Sequence, residues 1–222
     1  MNWMGSDSPR LRRSGRPNAQ TSEELDRRVL DMAVGMFVER GYAATSIEKL
    51  AALAHVGKQT IYRRYPTKED LFSAAMGILR DRFLHAALLP VHSLTDPLAA
   101  IREACLAVMD MVSTPETVGM YRVLIAEAQR FPQLVDQVML HTVDPLHHNI
   151  QARLQAAMDA GQMRRSIDPE ALARILVGMV SGWVLNQWLV GREHLKTREE
   201  RLAFLDSAWT VFLDGVGTSD HS

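Results

Sequence analysis

A chain of 222 residues, 47% of them hydrophobic and only 6% aromatic, is long enough to bury a full core, and its wealth of Ala, Leu and Met favours helices over sheet. One cysteine, Cys105, excludes an intramolecular disulfide; no apolar stretch at the N-terminus reads as a secretory signal, and the longest apolar run, residues 175–185, is broken by Gly178, Ser181 and Gly182, short of the ~18 residues that suggest a membrane span, so a cytoplasmic protein is expected. The net charge of −1 conceals an asymmetry: residues 1–68 carry 12 Lys/Arg against 7 Asp/Glu and residues 69–222 carry 13 against 19, which suits the front of the chain to a polyanion.

Residues 1–20 lack apolar periodicity, contain Arg10, Arg12, Arg13 and Arg16, and read as a flexible basic arm. Thr21-Ser22-Glu23-Glu24 has the form of a capping box opening a first helix, which carries Leu25, Val29, Met32, Ala33, Met36 and Phe37 on one stripe and stops near Gly41. Thr45-x-x-Glu48 opens a second helix, about 46 to 54. Three residues, His55, Val56 and Gly57, separate it from a third, 58 to 65, which must end before Pro66. Two short helices around a tight turn predict a helix-turn-helix.

Thr67-x-x-Asp70 opens a connecting helix over about 67–88, and further helices are predicted near 97–112, 116–129, 132–143, 145–160, 168–189 and 198–214. No stretch alternates as a strand and no solenoid repeat is present. The expected fold is all-α, with the helix-turn-helix near the front of the chain and a longer helical part behind it.

If Ile61 and Tyr65 pack inward with Val56, the other face of the third helix presents Lys58, Gln59, Thr60, Tyr62, Arg63 and Arg64. Gln59 and Thr60, near its N-terminus, are placed to read base edges, and Gln can pair with adenine through two hydrogen bonds. Lys58, Tyr62, Arg63 and Lys68 suit phosphates, as does Thr45 at the positive end of the second helix. A polar helix face is ordinarily just solvated. Here the tight turn, the basic surplus and the arm favour DNA.

The segments Gly41-Tyr42-Ala43-Ala44-Thr45-Ser46-Ile47 and Gly57-Lys58-Gln59-Thr60-Ile61-Tyr62-Arg63-Arg64-Tyr65-Pro66-Thr67-Lys68-Glu69-Asp70-Leu71 closely resemble the TetR family of regulators, over about residues 21–80. The resemblance implies a dimeric repressor that leaves its operator when a small molecule binds, with a three-helix DNA-binding domain over 21–67 and a helical ligand-binding and dimerisation domain over 68–222. It also puts Thr45, Gln59, Thr60, Tyr62 and Lys68 at positions that commonly touch DNA. Two positions depart from the family pattern: His55 stands where Gly is frequent in the turn, and Gly57 where Ser often caps the recognition helix. Both are tolerable, since His accepts a left-handed backbone and Gly is an acceptable cap. Arg13-Ser14-Gly15-Arg16-Pro17 is similar to minor-groove hooks that insert arginine into narrow A·T-rich DNA; the alternative is a tail drawn to any anion.

Residues 121–134 and the later Asp168-Pro169 resemble the AefR-like branch of the family. Gly178 and Gly182, four apart, permit close helix approach and, with Leu202, Leu205, Trp209, Phe212 and Leu213 of the last helix, predict a four-helix dimer interface; the alternative is ordinary subunit core. Met109, Tyr121, Ile125, Met179, Trp183 and Trp188 are candidates to line an apolar pocket, with Glu127 or Asn186 as a polar handle, though such residues are more often plain core. His141, Asp144 and His148 would share a face only if Pro145 did not interrupt the register, so no metal is expected, and no cofactor either. A lone Cys105, no Gly-rich phosphate loop and no nucleophile elbow argue against an enzyme. The expectation is a transcriptional regulator, a repressor released from a palindromic operator on double-stranded DNA by a small hydrophobic inducer, working as a homodimer away from membranes. The alternative is a ligand-independent nucleoid or division factor.

Overall fold

The computed structural model describes residues 19–84, 96–164 and 166–216; the arm with Arg13 and Arg16 lies outside them. Among the described residues there are ten α-helices and no β-strand: α1 (Ala19–Ala44), α2 (Ile47–Ala54), α3 (Lys58–Arg64), α4 (Lys68–Leu84), α5 (Pro97–Val112), α6 (Pro115–Glu127), α7 (Pro132–Val138), α8 (Asp144–Asp159), α9 (Pro169–Leu189) and α10 (Arg198–Val216). None of them is long and apolar enough to cross a membrane.

Local chemistry explains most of the boundaries. Asp96, Thr114 and Asp168 accept hydrogen bonds from the free amides of α5, α6 and α9, and each is followed by a proline whose fixed φ and missing N–H suit a first helical turn. The reciprocal box at α4 forms as expected, with the Asp70 amide donating to Thr67 Oγ1 at 3.0 Å and the Thr67 amide donating to Asp70 Oδ2 at 3.0 Å. A second such box, Thr197 with Glu200, opens α10 and escaped the sequence reading.

Two sequence expectations are corrected. The first helix is already under way at Ala19, so the box at Thr21 marks no start; Ser22 instead accepts a hydrogen bond from Arg64. The predicted break at Asp144-Pro145 is also absent, because residues Met139–Val143 form one π-helical turn that joins α7 to α8. Proline cannot donate to the carbonyl four residues back, at His141, and its ring crowds that group. The wider turn makes room, and Arg80 of α4 supplies the missing donor, with Nη1 2.8 Å from the His141 carbonyl. At the other end of this turn, Ser73 Oγ donates to the Gln137 carbonyl at 3.1 Å.

The buried side chains fall into two cores. The front core joins α1 to α4 and also takes Met120, Val123 and Leu124 of α6 and Leu134 and Val138 of α7. The back core is built from α5, α8, α9 and α10, with Val118 of α6 added. Thus α6 feeds both, and the front core does not end where the helix-turn-helix ends. Close contact between α6 and α1 depends on Gly119: a Cβ there would lie 2.7 Å from Val38 Cγ1.

Candidate nucleic-acid interface

The helix-turn-helix is assembled from short-range chemistry. Gly41, at φ 76°, ends the regular part of α1 in a backbone that L side chains rarely adopt. Ser46 then caps α2 by accepting from the Lys49 amide at 3.3 Å. His55 takes the left-handed conformation, φ 54° and ψ 43°, and closes α2 through its amide. Gly57 stands at the cap of α3 in extended geometry with no side-chain bond.

Only one residue of α3, Ile61, is buried; Tyr65, just beyond, packs beside it and its hydroxyl donates to Asp26 Oδ1 at 2.8 Å. Lys58, Gln59, Tyr62 and Arg63 are exposed and Thr60 is half-buried, so five of the expected contact residues share one outward surface. Arg64 does not join them. Its guanidinium turns back to α1, where it pairs with Asp26 at 2.6 Å and with Ser22.

Thr45 departs most from expectation. It is only 3% exposed, and its hydroxyl donates to the carbonyls of Met36 (3.1 Å) and Gly41 (2.8 Å), so it closes the turn after α1 rather than offering a donor to phosphate. Lys68 reaches across to the same corner: its Nζ donates to the Ala43 carbonyl at 3.2 Å and lies 4.5 Å from the Tyr42 ring centroid. Burial pulls that ammonium below the usual lysine range. Lys58 pairs with Glu48 on α2 and stands over the Tyr62 ring.

Sequence reasoning missed Asp26 and Arg28. Asp26 orients both Arg64 and Tyr65, while Arg28 Nη2 donates to the Ala54 carbonyl at the end of α2, 3.0 Å away. Both lie on α1, and their partners at Ala54, Arg64 and Tyr65 are 26 to 39 residues along the chain, so nothing local marked them.

Residues 29–75 match the profile described as "Bacterial regulatory proteins, tetR family", and residues 99–215 match "AefR-like transcriptional repressor, C-terminal domain". The chain belongs to the TetR family. It is 27% identical over 177 residues to the DNA-binding transcriptional repressor TetR of Mycobacteroides abscessus, covering 74% of this chain and 86% of that one. It is 30% identical over 152 residues to an HTH-type transcriptional regulator of Mycobacterium bovis, covering 68% and 71%. A crystal structure of a TetR-family regulator from Mesorhizobium loti shares the fold at TM-score 0.73 and 22% identity, over 89% of this chain and 98% of that one. This TetR-family chain is therefore a transcriptional regulator and not an enzyme, of a family that binds operator DNA as dimers.

The C-terminal half of this TetR-family protein disperses the residues expected to meet a ligand. Met109 is buried in the back core and Met179 packs against it; Tyr121 packs on the front core; Glu127 is half-buried; Ile125, Trp183 and Asn186 are exposed. Trp188 is buried, and its indole donates to the His194 carbonyl at 2.8 Å. A cleft of about 700 Å³ opens between α1, α4 and the π-helical turn, and one of about 260 Å³ between α8 and α9; none of these eight residues lines either. Of the expected dimer residues, Leu205 and Phe212 are buried in the subunit's own core, Leu202 and Trp209 are half-buried against it, Gly182 is half-buried and Gly178 is exposed. Beside the two glycines, Ile175 (60% exposed) and Trp183 (45%) keep large apolar surface in solvent, as does Val211 (66%) on α10.

Proposed function

We propose that this regulator is a repressor that grips a palindromic operator through α3 and releases it when a small hydrophobic molecule binds among the C-terminal helices. The observation that carries the DNA half is the outward surface of α3, where Lys58, Gln59, Thr60, Tyr62 and Arg63 stand together on a helix whose inward residues, Ile61, Arg64 and Tyr65, are all engaged by the subunit. Gln59 and Thr60 read base edges; Lys58, Tyr62 and Arg63 hold phosphates; Lys68 braces the corner from which α3 projects. Arg13 and Arg16 enter the neighbouring minor groove. Repression accords with the description of the matched C-terminal profile and with the name of the mycobacterial relative.

Two subunits pair through α9 and α10. Ile175, Gly178, Gly182, Trp183 and Val211 supply the facing surface, and the pairing sets two recognition helices about 34 to 36 Å apart, one turn of B-DNA, or a multiple of that. The inducer enters among α5, α6 and α9, close to Met109, Tyr121, Met179 and Trp188, and the domain organisation, 21–67 for DNA and 68–222 for ligand and dimer, is joined through α4.

Footprinting on the DNA flanking the protein's own gene tests this reading. The wild type protects a palindromic site, and the double variant Gln59→Ala/Tyr62→Ala loses the footprint while keeping its helical circular dichroism. An undiminished footprint from that variant would refute the placement of the contact face. Repeating the assay with hydrophobic small molecules tests release, and many scattered sites with no responsive ligand would favour the nucleoid-factor alternative.

A further inference from the structure

Glu48 stands on the first turn of α2 with 58% of its side chain exposed, on the side that also presents Lys58, the residue opening α3, at 49%. Its carboxylate is held at both oxygens. Oε2 accepts from Ser46 Oγ at 2.9 Å, and Oε1 pairs with Lys58 Nζ. Lys58 in turn lies 5.5 Å from the centre of the Tyr62 ring, so carboxylate, ammonium and ring form one connected group at the mouth of the helix-turn-helix. Hydrogen bonds from Lys58, from its own backbone amide and from Ser46 hold the Glu48 carboxyl down at about 2, so it stays charged at any pH where DNA is intact.

A negative charge at the entrance to a surface meant for phosphates works against binding. Sequence-independent affinity for duplex DNA grows with each cation that replaces a condensed counterion, and the exponent of its salt dependence rises by about 0.9 for every phosphate neutralised. On non-operator DNA, a lysine still paired with a neighbouring carboxylate adds nothing to that count, although the closer fit of an operator can draw it onto phosphate. We propose that Glu48 is an internal counter-ion that competes with DNA phosphate for Lys58, and so restrains the sequence-independent part of this protein's affinity for DNA. The inference rests on the α3 contact face set out above. Glu48 acts through Lys58 and is a positioning residue.

The test is a double-variant cycle on a random-sequence duplex, with affinity measured by fluorescence anisotropy from 50 to about 200 mM salt, the interval over which counterion release changes affinity strongly. Glu48→Gln binds about 5-fold tighter near 0.1 M salt, and its plot of log affinity against log salt is steeper than wild type by about 0.9. In the Lys58→Gln background the same Glu48→Gln change leaves that slope where it was. A purely structural role for Glu48 would move the melting temperature and not the slope. An unchanged slope in Glu48→Gln, with wild-type binding intact, overturns the role of Glu48 alone. A steepening that persists without Lys58 overturns the competition and makes Glu48 a direct repeller of phosphate. Absence of binding by all four proteins removes the contact face itself and this inference with it.

Discussion

The two cores of the molecule are held together differently. The front core is locked by aromatic rings, with Phe37 edge-on to Phe72 at 4.9 Å and Tyr42 edge-on to Phe131 at 5.0 Å, and by side chains that reach distant backbone: Arg28 to Ala54, Thr45 to Met36, Lys68 to Ala43. The back core is aliphatic and Met-lined where α5 meets α8, with Met109, Met111 and Met158; its rings, Trp188, Phe204, Trp209 and Phe212, all stand on α9 and α10, and its ion pairs sit at its edge, where Asp110 receives Arg198 at 2.7 Å and Arg201 at 2.6 Å. Rings and directional bonds permit one arrangement, whereas unbranched thioethers adapt to several. A surface that must meet a duplex in fixed register needs the first kind of packing.

The harshest test of that contrast removes one large side chain from each core. Phe72→Ala is expected to cost about 3–5 kcal/mol and Leu176→Ala about 2–5 kcal/mol, both residues being 0% exposed. Because α6 places Val118 in the back core and Met120, Val123 and Leu124 in the front, calorimetry should record one transition for either variant. Two separated transitions would show that the cores unfold independently and that α6 couples nothing.

Gly119 probes the junction between them. A methyl at this position meets both Cγ atoms of Val38, at 2.7 and 2.9 Å, so Gly119→Ala is expected to lose about 1–3 kcal/mol through overpacking. Val38→Ala vacates that space. Denaturant melts of the double variant should recover most of the loss, and a double variant no better than Gly119→Ala would mean that the cost comes from elsewhere in α6.

Much of this architecture was legible in the chain. Thr67-x-x-Asp70 announced α4, and the same kind of local signal, Asp or Thr followed by proline, stands at the starts of α5, α6 and α9, because caps act over three or four residues and are written locally. The outward face of α3 was legible for the same reason: a seven-residue helix with one buried position leaves little choice. What depends on partners far along the chain was not. Thr45 looked like a donor for phosphate because the carbonyls of Met36 and Gly41 come near it only once α1 is kinked. The break read at Pro145 became a π-helical turn because Arg80, 61 residues before His141, satisfies the His141 carbonyl that proline leaves free. The apolar residues of α5, α6 and α9 share a helical period whether they face a guest, a partner or their own core, so periodicity separates none of these roles.

A smaller effect is expected where α1 meets the end of α3. Tyr65→Phe deletes the 2.8 Å hydrogen bond to Asp26 and should cost about 1 kcal/mol. Burial, reinforced by that bond, raises the Tyr65 hydroxyl well above its ordinary range, and burial together with Glu69 does the same for Tyr42. The neutral phenols are thus favoured by the folded state. Their contribution is complete below about pH 10, where unfolded tyrosine titrates, and is lost as pH rises through the higher folded values. Thermal melts from pH 8 to 11 should therefore show falling stability above about pH 10, less steeply in Tyr65→Phe. A front core no more alkali-sensitive than this variant would mean that its tyrosines contribute packing alone.

The smallest change concerns one backbone angle. His55 occupies the left-handed region at φ 54°, where a β-carbon costs about 1–2 kcal/mol and glycine pays nothing sterically, although glycine loses about 0.5–1 kcal/mol more conformational entropy on folding. The two terms nearly offset. His55→Gly should stabilise the protein by about 0.5 kcal/mol, a shift measurable in denaturant melts, with DNA affinity unchanged because His55 is exposed in the turn and lies outside α3. A loss of stability instead would show that the imidazole contributes to closing the turn, and the front core would then depend on one more side chain than its packing reveals.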